Sequence, residues 1–327
     1  MIMAELLSPE EYQDNELLEP VESRFGDKPH IEQILRDGDA HILGSADELL
    51  DIEKHQNTVQ LAEILATLQE NEPRNIVKHI FFDSLDGNQQ RTLGIFKPFS
   101  GENPYVHEQY HNDRFDVREV LAYEISEHFG FDLVPPTVHR EINGEIGSLQ
   151  LFMPTAQYQT IEWVEKHSHE THFDFARDSV DWEVLAAFDY ILANPDRHAR
   201  NVLVEYAHDH KQNIIVPQGD YGATLIAIDN GTSLSTAGYY DHDVTISGPN
   251  VDMTYSLDER KPLALEIPDY LLAILKQGLA NRAELHLERY NDTISPTELQ
   301  AVWQRAEDLV KQKVFLSRYN ERHVFGY

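Results

Sequence analysis

The sequence predicts an α+β protein in two lobes, a small β-rich lobe followed by a larger and mostly helical one. Three observations carry this expectation. Short apolar runs of strand character crowd into the first half of the chain, helical periodicity dominates the second half, and one clear helix over 116–129 interrupts the strands. The 327 residues are 41% hydrophobic, which excludes wholesale disorder and suffices for one domain of two lobes or for two modest domains.

The elements follow in chain order. Residues 1–30 are acidic, carry Pro20 and Pro29, and read as an N-terminal arm. Asp39 to Ser45 has the character of a short strand. Over Thr58 to Glu70, Val59, Leu61, Ile64, Leu65 and Leu68 recur at helical spacing, which predicts a helical insert near 46–75. Two apolar runs, Ile76 to Phe82 and Arg91 to Pro98, flank the turn-rich Asp83 to Asn88 and predict a β-hairpin. Val117, Leu121, Ile125 and Phe129 recur every four residues, so Asp116 to Phe129 is a helix that Gly130 ends. Leu133 to Arg140 and Gly147 to Met153 are strand-like, with Pro135-Pro136 implying an edge position.

Beyond these, 158–177 is polar and rich in histidine. Asp181 to Leu192 is a strong helix, and Val202 to Tyr206 and Leu225 to Ile228 are short apolar strands. The remainder reads as helical. Pro268-Asp269 opens one helix, and Ser295-Pro296-Thr297-Glu298 opens another with a capping box and a proline at the first position. The expected division is therefore an arm over 1–30, a β-rich lobe over 31–153 with its insert, and a helical lobe over 154–327.

Charge and composition narrow the partners. Fifty-seven acidic residues against 26 basic ones give a formal charge of −31, which repels nucleic acid and anionic lipid headgroups. Arg260 and Lys261 make the nearest approach to a basic patch. No run approaches the roughly 20 apolar residues of a membrane span, so no integral membrane association is expected. The acidic start lacks the basic and apolar stretches of a secretory signal. With no cysteine, disulfides and thiolate metal sites are excluded. A cytoplasmic protein is the simplest expectation, and an effector secreted without a cleavable signal shares the same features.

The segment richest in chemistry is Asn194-Pro195-Asp196-Arg197-His198-Ala199-Arg200-Asn201, a polar loop between a helix and the strand that starts at Val202. A second apolar strand ends in Ile228-Asp229-Asn230-Gly231. Phosphoryl transfer needs one carboxylate to orient or deprotonate the acceptor hydroxyl, and oxygen ligands to hold magnesium against the phosphates. Asp196 fits the first role, and Asn201 and Asp229 fit the second. Either loop alone is most often a plain turn; the pair, in this order, is more specific. Lys97, on a strand after Gly94-Ile95-Phe96, must snorkel or find an anion, and the α- and β-phosphates are such an anion. Glu119 and Glu124 on the following helix are both candidate partners for it, and position on the apolar stripe leans to Glu124. His167, His169 and His172, together with His208, His210 and the Asp241-His242-Asp243 triplet, have zinc-like spacing. Polar surface loops account for them better.

These residues carry a resemblance. Leu185 to Val204 resembles the catalytic loop of type II phosphatidylinositol 4-kinases and of HipA-type serine kinases, and Ala227 to Gly231 resembles the metal-binding motif of the former. Gly94 to Pro98, Arg118 to Tyr123, Val134 to Val138 and Gly147 to Phe152 resemble a bacterial phosphatidylinositol 3/4-kinase-like group. The match runs from about Asp37 to Asn230. It implies a two-lobed protein-kinase-like fold with Asp196 as catalytic aspartate, Asn201 and Asp229 as metal ligands and Lys97 as phosphate lysine. The Arg118-Glu119 motif implies Glu119, rather than Glu124, as the partner of Lys97, and Gln150, Leu151, Phe152 and Met153 as the adenine-binding hinge. One departure stands out. The family covers the phosphates with a loop of small residues, whereas the stretch between Ser45 and Ile76 has no glycine. The resemblance implies an ATP- and magnesium-dependent kinase, with manganese as a substitute metal, and a protein hydroxyl is the favoured acceptor. The same residues would serve a phosphoinositide or small-molecule kinase or an AMP-transferase, and a pseudokinase would keep the fold as a binding module.

Overall fold

Antiparallel strands build the first lobe. In the computed structural model, which describes residues 23–42, 77–82, 92–101, 114–154, 157–167, 180–194, 197–209, 214–217, 223–234 and 264–316, five strands form one antiparallel sheet. They are β1 (Ala40–Ile42), β2 (Lys78–Phe82), β3 (Thr92–Pro98), β4 (Thr137–Ile142) and β5 (Glu145–Leu151), in the order β1-β2-β3-β5-β4. Gly94, Phe96 and Pro98 of β3 are buried and the residues between them only partly so, the period-2 pattern of a strand with one face on a core. Ile80 of β2 lies opposite Gly94 and Phe82 opposite Thr92, which is the predicted hairpin pairing. The predicted helix over Thr58 to Glu70 and the turn over Asp83 to Asn88 lie outside the described residues.

β4 ends the order, the edge position that Pro135-Pro136 implies. The turn between β4 and β5 corrects the predicted strand limits. Asn143 and Gly144 take φ of 52° and 83°, the left-handed pair of a two-residue hairpin turn whose twist matches the strands. The strands accordingly run on to Ile142 and start again at Glu145, and Leu133 to Pro136 precede them as connecting chain.

Each face of this sheet carries a helix. On one face lies α1 (Lys28–Asp37), whose Ile34 and Leu35 pack with Ile80, Phe82, Phe96, Val138, Ile142 and Leu149. Asp27 caps it by accepting from the His30 N–H, and Pro29 stands in its first turn, where a missing N–H costs nothing. Residues 23–30, the last part of the arm expected over 1–30, are thus packed on the rest of the protein. Arg24 also pairs with Asp181, and Phe25 is buried. On the other face lies α2 (Phe115–Phe129), ended by Gly130 at φ 69° as its sequence predicts. Twelve of its 15 residues are buried, so it is a helix enclosed all round rather than a surface helix.

The second lobe is built on α3 (Ile161–His167), α4 (Val180–Leu192), α5 (Asp269–Ala280) and α6 (Pro296–Gln312). Ser295 and Glu298 form the predicted capping box of α6. A second sheet centres on β7 (Val202–Asp209), which pairs with β6 (Tyr158–Thr160), β8 (Ile214–Pro217) and β9 (Leu225–Ala227). β10 (Ala264–Glu266) and β11 (Val314–Leu316) pair with each other. The segment read as polar over 158–177 therefore opens with a strand and a helix, because Tyr158, Ile161 and Val164 are buried. Likewise β8, β10 and β11 replace helix where the remainder was read as helical. Among the described residues no helix is long and apolar enough to cross a membrane.

Gly147 sets the position of β3 against β5. A Cβ there would lie 2.2 Å from the Lys97 carbonyl oxygen and 2.8 Å from Pro98 Cα, both backbone atoms. Gly147→Ala is expected to force the strands apart and destabilise the protein by about 1–3 kcal/mol, read as a lower midpoint in urea. An unchanged midpoint would show that this close approach is not needed.

Candidate active site

The alternation of β3 turns Lys97 away from Phe96 and toward α2. Its Nζ donates to Glu119 Oε1 at 2.6 Å and to Asp229 Oδ1 at 2.8 Å. Glu119 is buried, and its second oxygen accepts the backbone N–H of Asn230 at 3.0 Å. One carboxylate from α2 thus holds both the sheet lysine and the chain that follows β9. Burial alone would lower Lys97, but Asp229 and Glu119 outweigh it and hold the ammonium well above its ordinary value. Lys97 in turn keeps the Asp229 carboxyl below the usual range, against a smaller opposing effect of burial. Glu124 lies elsewhere. It accepts from Tyr290 Oη at 2.8 Å and pairs with Arg289. The lean of the apolar stripe to Glu124 is thus corrected: α2 has hardly any exposed face, so the stripe carries little contrast between the two glutamates.

Register brings Asn201 and Asp229 together. Val202 of β7 lies opposite Ala227 of β9, and Ile228 N–H donates to the Asn201 carbonyl at 3.1 Å, one step further along. Both residues therefore leave the strand pair at the same end. Asp229 has φ of 55°, a left-handed conformation that aspartate tolerates better than most residues, and its side chain is half exposed. Asn201 is buried, with its N–H donating to the His198 carbonyl.

Sequence reasoning missed the residue that holds these loops. Arg197 is fully buried. Its guanidinium donates to both oxygens of Asp189 on α4, to the Asn201 and Ile228 carbonyls at 2.7 and 2.8 Å, and to Asn230 Oδ1. A signal was present: Asp189 stands in the otherwise apolar Ala186-Ala187-Phe188-Asp189-Tyr190-Ile191-Leu192, and a buried carboxylate calls for a cation. Asp196 itself lies outside the described residues. Its neighbours Asn194 and Arg197 are both completely buried.

Of the four residues expected as a hinge, Gln150 and Leu151 belong to β5, and Gln150 directs its carboxamide to Thr137 Oγ1 at 2.9 Å. Phe152 N–H donates to the Leu93 carbonyl, and Met153 packs with Phe25, Tyr158 and Ile226 where the lobes meet. His169, His172, His210, Asp241, His242 and Asp243 lie outside the described residues, as do the side chains of His167 and His208. Among the described residues no three histidine, aspartate or glutamate side chains gather as a metal cluster.

No protein-family model matches this chain, and no curated protein matches it. Solved structures similar to it include hydra Fam20 with sugar, at 14% identity over 74% of this chain and 83% of that one, with a TM-score of 0.43. The Golgi casein kinase is similar at 13% identity over 77% and 75%, with a TM-score of 0.41. The Helicobacter pylori proinflammatory kinase CtkA is similar at 14% identity over 72% and 90%, with a TM-score of 0.36.

Removing one partner of a buried ion pair leaves the other charge stranded. Arg197→Met is therefore expected to destabilise the protein by about 3–5 kcal/mol, while the double variant with Asp189→Leu recovers part of that loss. Urea unfolding of the parent, both single variants and the double variant measures the coupling. Additive effects would show that the two side chains do not depend on each other.

Proposed function

We propose that this chain is an ATP- and magnesium-dependent phosphotransferase of the phosphatidylinositol 3/4-kinase-like, HipA-like branch, with a protein hydroxyl as acceptor. The observation that carries the reading is the three-way contact of Lys97 with Glu119 and Asp229. A lysine from the sheet lobe, fixed by a helix glutamate, meets an aspartate at a strand end of the other lobe, in the chain order that kinases use.

The donor set fits a nucleotide with its metal. Lys97 is the counter-charge of Asp229 in this structure. If phosphate oxygens take Lys97, Asp229 loses that counter-charge unless a divalent cation replaces it, so the metal-bound nucleotide is the form that balances the site. Asn201 and Asp229 would hold the magnesium, which when bound supplies positive charge against the phosphates. Lys97 would grip the α- and β-phosphates, and Glu119 would keep its ammonium aimed. Chain from Gln150 to Met153, of which Phe152 and Met153 make the crossing, would hold the adenine. Asp196 would orient the acceptor hydroxyl and take its proton as the new O–P bond forms and the bond to the β-phosphate oxygen breaks, releasing ADP. The charge of −31 favours a protein acceptor over a phosphoinositide in an anionic membrane.

Asp196→Ala is expected to lower transfer by roughly 10²–10⁴-fold with ATP affinity nearly unchanged, because proton acceptance acts on the transferring step. Lys97→Ala and Glu119→Ala are expected to weaken ATP binding together, whereas Glu124→Ala affects stability alone. Incubation with γ- and α-labelled ATP reads the chemistry. Label from the γ position on protein supports the kinase, label from the α position means AMP transfer, and neither label on any acceptor leaves a pseudokinase. A folded Asp196→Ala protein that transfers phosphate at the parent rate would end this mechanism.

A further inference from the structure

Lys97, Ser148 and His139 stand in one row across the sheet. Lys97 lies opposite Ser148 on β5, and Ser148 lies opposite His139 on β4. Directly opposed residues in antiparallel strands share a face, so the whole row faces α2. The helix meets it at both ends. Glu119 takes Lys97, and Asp116, one turn earlier, meets His139 Nε2 at 2.8 Å.

The Asp116 side chain is fully buried and also accepts from Arg114 Nε and a terminal Arg114 nitrogen at 2.8 and 2.9 Å, while the His139 side chain is 40% exposed. Burial alone would raise the Asp116 carboxyl, but hydrogen bonds from His139 and Arg114 outweigh it and hold the group below its ordinary value. An ionised carboxylate accepts and never donates, so His139 Nε2 carries the proton of this contact. The Arg114 nitrogen 3.2 Å from the same ring atom is then a neighbour and not a donor to it.

We propose that the Asp116–His139 contact is a latch that positions Glu119 against Lys97, making Asp116 and His139 positioning residues for nucleotide binding. Other polar residues of α2 tie it elsewhere. Arg118 reaches Glu298 and the Ser233 carbonyl, Glu124 reaches Tyr290, and Tyr123 and Glu127 reach α1. Lys97 itself is shared with the second lobe through Asp229. At the N-terminal half of α2, the Asp116–His139 contact therefore joins helix and sheet by a route that avoids the cleft. Released there, this end of α2 stays tied to the second lobe through Arg118 and through the Asn230 N–H on Glu119, so it can move with that lobe and draw Glu119 away from β3. The consequence for nucleotide binding rests on the phosphotransferase reading; the positioning of Glu119 does not.

The test separates the two. In nucleotide-free protein, acylation of Lys97 by an amine-reactive reagent is followed by peptide mass spectrometry, with Glu119→Gln as the reference for a released lysine. His139→Leu is expected to raise the Lys97 acylation rate about tenfold, the scale of one lost hydrogen bond to a charged group, and to weaken ATP binding by a similar factor. His139→Gln, whose terminal nitrogen reaches about as far as Nε2, is expected to restore protection. Asp116→Asn keeps the shape, loses the charge and serves as the second variant should His139→Leu fold poorly; it too is expected to expose Lys97. Acylation at the parent rate in a folded His139→Leu or Asp116→Asn protein overturns the latch, even with a lowered melting temperature. Raised acylation in a chain whose parent binds no ATP upholds the latch and overturns the phosphotransferase reading instead.

Discussion

The burial of α2 on every side is the constraint on which the rest of the structure depends. A helix with one wet face can send its charged residues to solvent, but α2 cannot, and an unpaired charge inside a protein is prohibitively costly. Each of its polar residues therefore meets a partner from a different element. Asp116 meets β4, Arg118 meets α6 and the Ser233 carbonyl, and Glu119 meets β3 and the Asn230 N–H. Further along, Tyr123 and Glu127 meet α1, and Glu124 meets Tyr290. Both lobes are thus keyed to one helix, and displacing it would strand several charges at once.

A second tie runs through the N-terminal segment. Arg24 donates to Asp181 on α4 and to the Leu225 carbonyl of β9, while its backbone N–H donates to Asp132. Lys28, four residues on, bridges Asp132 and Glu127. Phe25 fills the small cluster around Met153 and Ile226. This segment then continues into α1 on the outer face of the sheet, so one short stretch touches the second lobe, the lobe crossing and the first lobe in turn. Two cations with three carboxylates give the strap direction, and the buried phenylalanine gives it apolar area to hold by.

Much of this was legible in the sequence, and the failures have physical causes. The hairpin of β2 and β3, the limits of α2, the capping box of α6 and the strand pair ahead of Asp229 all rest on local rules: period, glycine stops and side-chain caps. Asn143-Gly144 obeyed such a rule as well, and its left-handed pair placed a turn where the strand pattern was too weak to mark one. Asp27 and Pro29 similarly mark the start of α1, but acidic composition masked the signal. The choice between Glu119 and Glu124 was different in kind. Periodicity finds a buried face by contrast with an exposed one, and α2 offers almost no contrast. Arg197 was invisible for a related reason, since nothing local shows that an arginine in a polar loop will be enclosed; Asp189 in its apolar helix was the one clue.

The candidate residues and the buried anchors alternate along the chain, and this placement has a physical logic. Asp229, half exposed, precedes fully buried Asn230. Lys97 lies between Phe96 and Pro98, both packed on the sheet. A group that must meet a ligand has to stay partly open, and an open side chain cannot fix its own backbone. Its neighbour can, because one residue of separation turns the adjacent side chain inward while leaving the backbone shared. A binding constellation needs its groups held to about half an ångström, and packed neighbours are a means of holding them. Arg197 does so for two loops at once, joining the residue after Asp196 to the residues on either side of Asp229. The two loops are thus joined in the core, through bonds from Arg197 to Asn201, Ile228 and Asn230 rather than through the candidate side chains themselves.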